Sequence, residues 1–162
     1  MIVGFGVVDH IQRLYSLHGS SIDQREGEPL VRDLVEPCFE IAPWQVEWTK
    51  TNHIDSSVAY RFEHSAGGSL VVSGDTGPSE ELVVLARGVD TLVLECSFPD
   101  PPPFTTHLSP KTAGDLASKA NCRRLVLTHF YPAVESADIR GGVDECFSGP
   151  IILAEDLLSI GW

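Results

Sequence analysis

Positive charge is scarce in this sequence. Lysine and arginine number 11 against 23 aspartates and glutamates, and the formal net charge is −12. Nucleic-acid backbones are bound mainly through lysine and arginine contacts, so this composition excludes a generic basic surface for nucleic acid. A nucleotide held by metal ions stays possible, because the ions themselves supply positive charge.

Closely spaced cysteines and long apolar runs are missing as well. No C-x-x-C pair and no secretory signal sequence occur, and four cysteines lie far apart, at Cys38, Cys96, Cys122 and Cys146. We therefore expect reduced thiols in a soluble, cytoplasmic protein. Charged residues interrupt the longest apolar run before it reaches the roughly 18 residues of a membrane span. The length is that of a single domain, predicted over residues 1–162.

The first half of the sequence predicts strands and one helix. Residues 1–5 favour a short strand, and a polar stretch covers residues 19–28. Between them lies a helix with one apolar face, formed by Val7, Val8, Ile11, Leu14 and Tyr15. Residues 45–53 and 58–64 alternate as neighbouring strands do, and the sequence SAGG at 65–68 predicts a hairpin turn.

From residue 69 onward, strands and helices alternate. The pattern predicts strands at 69–73, 91–94 and 124–127 and helices at 78–87 and 110–120, with a stiff proline-rich loop at 99–104. Such alternation implies α/β class and a parallel sheet with right-handed crossovers. Asp75, Glu95 and His129 follow or end the three strands. Because ligands bind at the carboxyl ends of parallel strands, we expect these residues to share one functional edge.

Three interpretations fit Asp75 in the sequence SGDTGPSEE. It forms a turn or caps the following helix, it is the carboxylate of a dimeric aspartic protease, or it bridges metal ions. The protease needs two copies of Asp75 and leaves the histidines at the strand ends unexplained.

The six histidines fall into three groups. His53 and His129 stand where strands are predicted to end, and imidazole is the commonest protein ligand of zinc. His107 precedes a helix that Ser109 is expected to cap, and it is either a surface histidine or a proton donor to a leaving group. The remaining three are interpreted as solvated: His10, His18 and His64.

Several strings together resemble a known family. They are SGDTGPSEELVVLARGVDTLVLECSFPD, HLSP, ANCRRLVLTHFYP and ILAEDLLSI. They resemble the C-terminal half of a metallo-β-lactamase-fold hydrolase, in the branch of ribonuclease Z and class II cyclic-nucleotide phosphodiesterases. The resemblance covers residues 44–160, and residues 1–18 more loosely. It implies that this α/β chain holds an incomplete αββα sandwich.

The resemblance also implies residue roles. His53 would bind a first metal ion, Asp75 would bridge two ions, and His129 would bind the second. His107 would be a mobile histidine that assists the leaving group, and Glu95 would orient it. The implied catalytic residues are therefore His107, Glu95 and Asp75, and the implied cofactor is a pair of zinc ions, with manganese or iron as substitutes.

The family's His-x-His-x-Asp-His motif does not occur in these 162 residues. We therefore expect a fragment of a metal-dependent hydrolase of phosphodiester or other ester bonds, weak or inactive by itself. A split subunit that pairs with a missing N-terminal half, or a non-catalytic interaction module, would also lack the motif. An uncovered sheet face would make the chain a homo-oligomer or require such a partner.

Overall fold

The computed structural model describes residues 2–4, 7–18 and 31–161. Their contacts divide the chain into two compact units, Met1–Pro37 and Cys38–Trp162. The sequence predicts a single domain over residues 1–162, and this stays a prediction. Within the described ranges, no helix combines the length and the apolar character that crossing a bilayer requires.

The first unit contains two strands and a helix. Strand β1 (Ile2–Gly4) pairs in parallel with β2 (Val31–Asp33), and helix α1 (Val7–His18) lies between them in the chain. The amide of Val8, in the first turn of α1, donates to Asp33 Oδ1 at 3.2 Å. The predicted strand and helix are confirmed, as is the exposure of His10, whereas residues 19–28 lie outside the described ranges.

The second unit is built on a seven-stranded sheet in which the strands follow their chain order. Strands β3 to β6 pair antiparallel and β6 to β9 pair in parallel. The strands are β3 (Cys38–Ile41), β4 (Trp44–Lys50), β5 (Val58–His64), β6 (Ser69–Val72), β7 (Thr91–Glu95), β8 (Leu125–Thr128) and β9 (Ile151–Leu153).

Four helices connect the parallel strands. They are α2 (Glu80–Leu85), α3 (Pro110–Ala120), α4 (Pro132–Glu135) and α5 (Ile139–Asp144). The side chain of Ser79 caps α2 by accepting from the amide of Leu82 at 3.2 Å. Ser109 is the N-cap of α3 and Pro110 its first residue, as predicted. The βαβαβ unit of residues 69–128 is therefore confirmed, while β2, β3, β9, α4 and α5 were not predicted.

Helices cover one face of the large sheet, and the opposite face stays partly exposed. The covered face belongs to the main core, in which leucines and valines of the strands pack with α2 and α3, among them Val71, Leu92, Leu94, Leu125, Leu127, Leu82 and Leu116. Side chains alternate between the two faces of a sheet along each strand. The strand residues next to these core residues therefore point to the opposite face. That opposite face carries Tyr60, Phe62, Val72 and Val93, all of them half-buried.

The hairpin between β5 and β6 corrects one expectation. Gly67 and Gly68 have positive φ angles of 96° and 97°, as the predicted SAGG turn requires. His64, expected to be solvated, is half-buried instead. Its ring lies 4.7 Å from that of Trp44, and its Nδ1 accepts from the amide of Ala66 at 3.0 Å. The prediction was wrong because the turn and the neighbouring strand both contact the imidazole.

Candidate functional site

The candidate site lies at one edge of the large sheet. Asp75 comes shortly after β6, Glu95 ends β7 and His129 directly follows β8. These three strands are parallel, so their carboxyl ends meet at this edge, as predicted. Strand β4 runs in the same direction as β6, because both pair antiparallel with β5. The loop after β4, which carries His53, therefore reaches the same edge.

Asp75 and His129 form the exposed part of the site. Asp75 Oδ1 lies 3.5 Å from His129 Nδ1, and their side chains are 40% and 38% exposed. The expected proximity of these two residues, within about 4 Å, is confirmed. Asp75 does not cap α2, because Ser79 does so.

Glu95 is the buried centre of the site. Its side chain is only 2% exposed. Backbone amides of three residues donate to its two oxygens, from Thr76 at 2.9 Å, Ser97 at 3.1 Å and Leu108 at 3.2 Å. The hydroxyl of Ser97 adds a donor at 2.7 Å. These donors offset the cost of burying a carboxylate.

His107 is held by Glu95. Its Nδ1 lies 2.7 Å from Glu95 Oε1, and its side chain is 11% exposed. The surface interpretation of His107 is therefore wrong, because the loop between β7 and α3 folds the ring against Glu95. Since an ionised carboxylate only accepts, His107 Nδ1 carries the proton and Nε2 is left for the site.

His53 lies beside His107 but not on a strand. Strand β4 ends at Lys50, so the prediction that His53 closes this strand was wrong. The histidine is half-buried in the β4–β5 loop, where its Nδ1 lies 3.2 Å from Ser57 Oγ. Its ring centroid is 5.0 Å from that of His107.

Asn52 joins the loops that carry these side chains, and sequence reasoning missed it. Its side-chain nitrogen donates to the carbonyls of Pro78 and Thr105, both at 3.2 Å. Its backbone pairs with Gly77, where an added Cβ would lie 1.8 Å from the Thr105 oxygen. The glycine of the sequence DTG was the available signal, because such close backbone approach requires it.

Ser97 was missed as well. This fully buried residue lies between Glu95 and His129, with its Oγ 2.7 Å from Glu95 Oε2 and 3.0 Å from His129 Nδ1. Its position two residues after Glu95 is the signal that could have drawn attention to it. It connects the buried and the exposed parts of the site.

Aromatic rings line one side of the site. The ring centroid of Tyr131 lies 5.0 Å from that of His129 and 5.1 Å from that of Phe98. The ring centroids of Phe98 and Phe104 are 5.7 Å apart. Phe104 belongs to the proline-rich loop and is 58% exposed. Aromatic surface therefore lies directly beside His129.

The donor set fits part of a metal site. Within the described part of the chain, no three His, Cys, Asp or Glu side chains come together closely enough to hold an ion. Asp75 and His129 do form an adjacent carboxylate–imidazole pair, a combination that zinc accepts. Cys96 adds no thiolate, because burial, reinforced by the charges of Glu95 and Asp100, raises its pKa to about 12.

Comparison with protein families gives a match over most of the second unit. Residues 31–130 match the model described as Beta-lactamase superfamily domain. All five candidate site residues lie within this range: His53, Asp75, Glu95, His107 and His129.

Curated relatives also match part of this chain. An uncharacterised protein of Mycobacterium leprae is 41% identical over 102 residues, which are 61% of this chain and 36% of the relative. A ribonuclease Z of Thermobifida fusca is 38% identical over 93 residues, which are 53% of this chain and 29% of that enzyme. This chain thus spans about a third of the length of the curated relatives that it matches.

A solved structure shows the same fold. The metallo-beta-lactamase fold protein YhfI from Bacillus subtilis superposes with a TM-score of 0.78 at 20% sequence identity. The superposition covers 95% of this chain and 61% of YhfI. The α/β sheet described above is therefore a metallo-beta-lactamase fold, and it matches only part of YhfI.

Proposed function

This chain belongs to the beta-lactamase superfamily, and we propose that it supplies one side of the active site of a metal-dependent hydrolase. The observation that carries the proposal is that the Asp75 carboxylate and the His129 imidazole lie side by side at the carboxyl edge of the parallel strands, with 3.5 Å between Oδ1 and Nδ1. The relative named ribonuclease Z supports a phosphodiester as the substrate bond, with another ester as the second choice.

Three side chains would hold the metal. Asp75 and His129 would bind one ion, and Asp75 would share a second ion with His53. Zinc suits this donor set best, and manganese or iron would also accept it. When bound, such ions polarise the phosphoryl oxygens as Lewis acids.

His107 would act as the general acid. Its Nδ1 lies 2.7 Å from Glu95 Oε1, a contact that fixes the ring, and Nε2 would face the substrate. A protonated Nε2 would donate to the oxygen that leaves, and Glu95 would stabilise the charged ring. The neighbouring rings of Phe98 and Tyr131, 5.5 and 6.0 Å away, would keep water from competing for that proton.

A separate interaction function is the second candidate. Tyr60, Phe62, Val72 and Val93 form a half-buried apolar face, which favours pairing with another chain or with a further segment of a longer protein. A dimeric aspartic protease is disfavoured, because it gives no role to the imidazole of His129 beside Asp75.

Zinc titration of three variants tests the proposal. Asp75→Asn and His129→Gln should each weaken zinc binding at least about tenfold, the lower bound for groups that merely support metal ligands. His10→Gln is the matched control, because His10 is an exposed histidine of the first unit and is not one of the candidate site residues. Equal zinc affinity in all variants would refute the metal site and would favour the interaction function instead.

A further inference from the structure

Ser97 lies between two of the candidate site residues, Glu95 and His129. It is fully buried, and its hydroxyl touches both Glu95 Oε2, at 2.7 Å, and His129 Nδ1, at 3.0 Å. A hydroxyl has a single hydrogen to donate, so at most one of these two contacts can have serine as its donor.

The other donors around Glu95 determine which group is the donor in each of the two Ser97 contacts. Its Oε2 already accepts from the amides of Ser97 and Leu108, and its Oε1 accepts from Thr76 and His107. Backbone amides can only donate and they contact both carboxylate oxygens, so Glu95 acts as the acceptor in these bonds. Ser97 therefore donates to Glu95 and must accept from His129, which requires a hydrogen on His129 Nδ1.

We propose that Ser97 is a positioning residue that holds His129 in the Nδ1–H tautomer. The tautomer leaves the lone pair on Nε2, so this nitrogen becomes the one that is free to bind a metal ion. Glu95 thereby sets the tautomer of two histidines, of His107 directly and of His129 through the serine hydroxyl. Both rings offer Nε2 to the site.

Two further observations agree with this assignment. His129 has a left-handed backbone, with φ of 58°, which is uncommon for residues other than glycine and needs support from its surroundings. Asp75 Oδ1 also faces His129 Nδ1, but at 3.5 Å it lies beyond the usual hydrogen-bond distance. Ser97 is thus the hydrogen-bonding partner of this nitrogen.

The inference deepens the proposed function and rests on it only for the ligand role of His129. Its test therefore uses the metal-free chain. Long-range proton–nitrogen correlation spectra of the chain labelled with nitrogen-15 histidine distinguish the two tautomers at a pH above the titration range of ordinary histidines. The His129→Gln and His107→Gln variants assign the two signals.

We expect His129 to show the Nδ1–H pattern, although a free imidazole prefers Nε2–H. In Ser97→Ala this pattern should be lost, with the shifts of its two ring nitrogens moving toward averaged values. His107 should keep its pattern there, because it is bonded to Glu95 directly, and it reports that the variant is folded. Ser97→Thr, which retains a hydroxyl, should restore the wild-type pattern of His129.

Two results would overturn the proposal. One is an Nε2–H pattern for His129 in the wild-type chain, which needs no variant to fold. The other is an unchanged Nδ1–H pattern in Ser97→Ala. This result would mean that Asp75, and not Ser97, holds the tautomer of His129. Asp75→Asn is the matched variant for that case, and we expect it to leave the His129 tautomer as it is. A correct tautomer together with unaltered zinc affinity in His129→Gln would refute the metal site alone.

Discussion

His129 Nδ1 lies 3.5 Å from Asp75 Oδ1 and 3.0 Å from Ser97 Oγ, so a carboxylate and a hydroxyl meet at one imidazole nitrogen. The three residues come from loops that follow different parallel strands. Only the pairing of β6, β7 and β8 brings them together. The candidate site is therefore a property of the sheet edge.

Zinc should bind weakly to this chain, with fewer than two ions per molecule. In the proposed site, His53 with Asp75, and Asp75 with His129, would offer two protein ligands for each ion, whereas catalytic zinc usually keeps three. Elemental analysis after dialysis against metal-free buffer measures the occupancy. Two tightly held ions would contradict the expectation, and would mean that other residues of the chain complete the coordination.

Gly77→Ala should destabilise the chain by about 1–3 kcal/mol, the range typical of overpacking. A Cβ at this position would lie 1.8 Å from the Thr105 carbonyl oxygen, so the two loops must separate. Gly161→Ala is the control, because nothing lies within 4 Å of its added Cβ. Urea unfolding gives both free energies, and equal values would show that the loops move apart without cost.

Thiol labelling should separate the four cysteines into two classes. Burial raises the pKa of Cys96 to about 12 and that of Cys122 to about 11, so both thiols stay protonated at neutral pH. Cys38 and Cys146 are exposed. Iodoacetamide followed by peptide mass spectrometry should find the two exposed cysteines modified and the two buried ones intact until the chain unfolds. Rapid modification of Cys96 in the folded chain would argue against its burial.

Acid should remove a contribution that Asp90 makes to stability. Hydrogen bonds from Ser69, above all from its hydroxyl, hold the pKa of Asp90 below the ordinary value of 3.8. Because the folded-state pKa is depressed, the contribution is fully present above pH 3.8 and is lost as the pH falls through the lower folded value.

Asp90→Asn measures this contribution. We expect the free energy of unfolding of the variant to be roughly 1 kcal/mol lower than that of the wild type near neutral pH. The difference is small because the carboxylate is partly exposed and screened by solvent. The loss should shrink toward zero in acid. Asp144→Asn, at an exposed position, is the control. The free energies of unfolding of Asp90→Asn and the wild type are compared across pH. A difference that stays constant down to low pH would contradict the linkage to Asp90.

The chain should self-associate through the half-buried face of the sheet. Phe62 and Tyr60 leave apolar surface in contact with water there, and association would bury it. Sedimentation velocity should show oligomers that Phe62→Gln weakens. Phe104→Gln, which changes an exposed phenylalanine beside the candidate site, serves as the control. A stable monomer at high concentration would contradict the expectation.

The sequence by itself determined the parallel part of the sheet. Alternation of apolar strands with amphipathic helices is a local pattern, and it predicted the βαβαβ unit of residues 69–128. The shared edge of Asp75, Glu95 and His129 followed from it, because carboxyl ends of parallel strands point the same way. The short strand β9 and the short helices α4 and α5 carry too few residues for such a pattern to identify them.

Only the tertiary structure decided which side chains touch. The burial of His107 against Glu95, the loops held by Asn52 and the hydroxyl of Ser97 between two site residues depend on the path of loops that have no periodicity. His64 was misjudged for the same reason, since a neighbouring strand covers it. Periodicity places a residue on a strand or at its end, whereas hydrogen-bond partners are set by distances of about 3 Å between segments far apart in the chain.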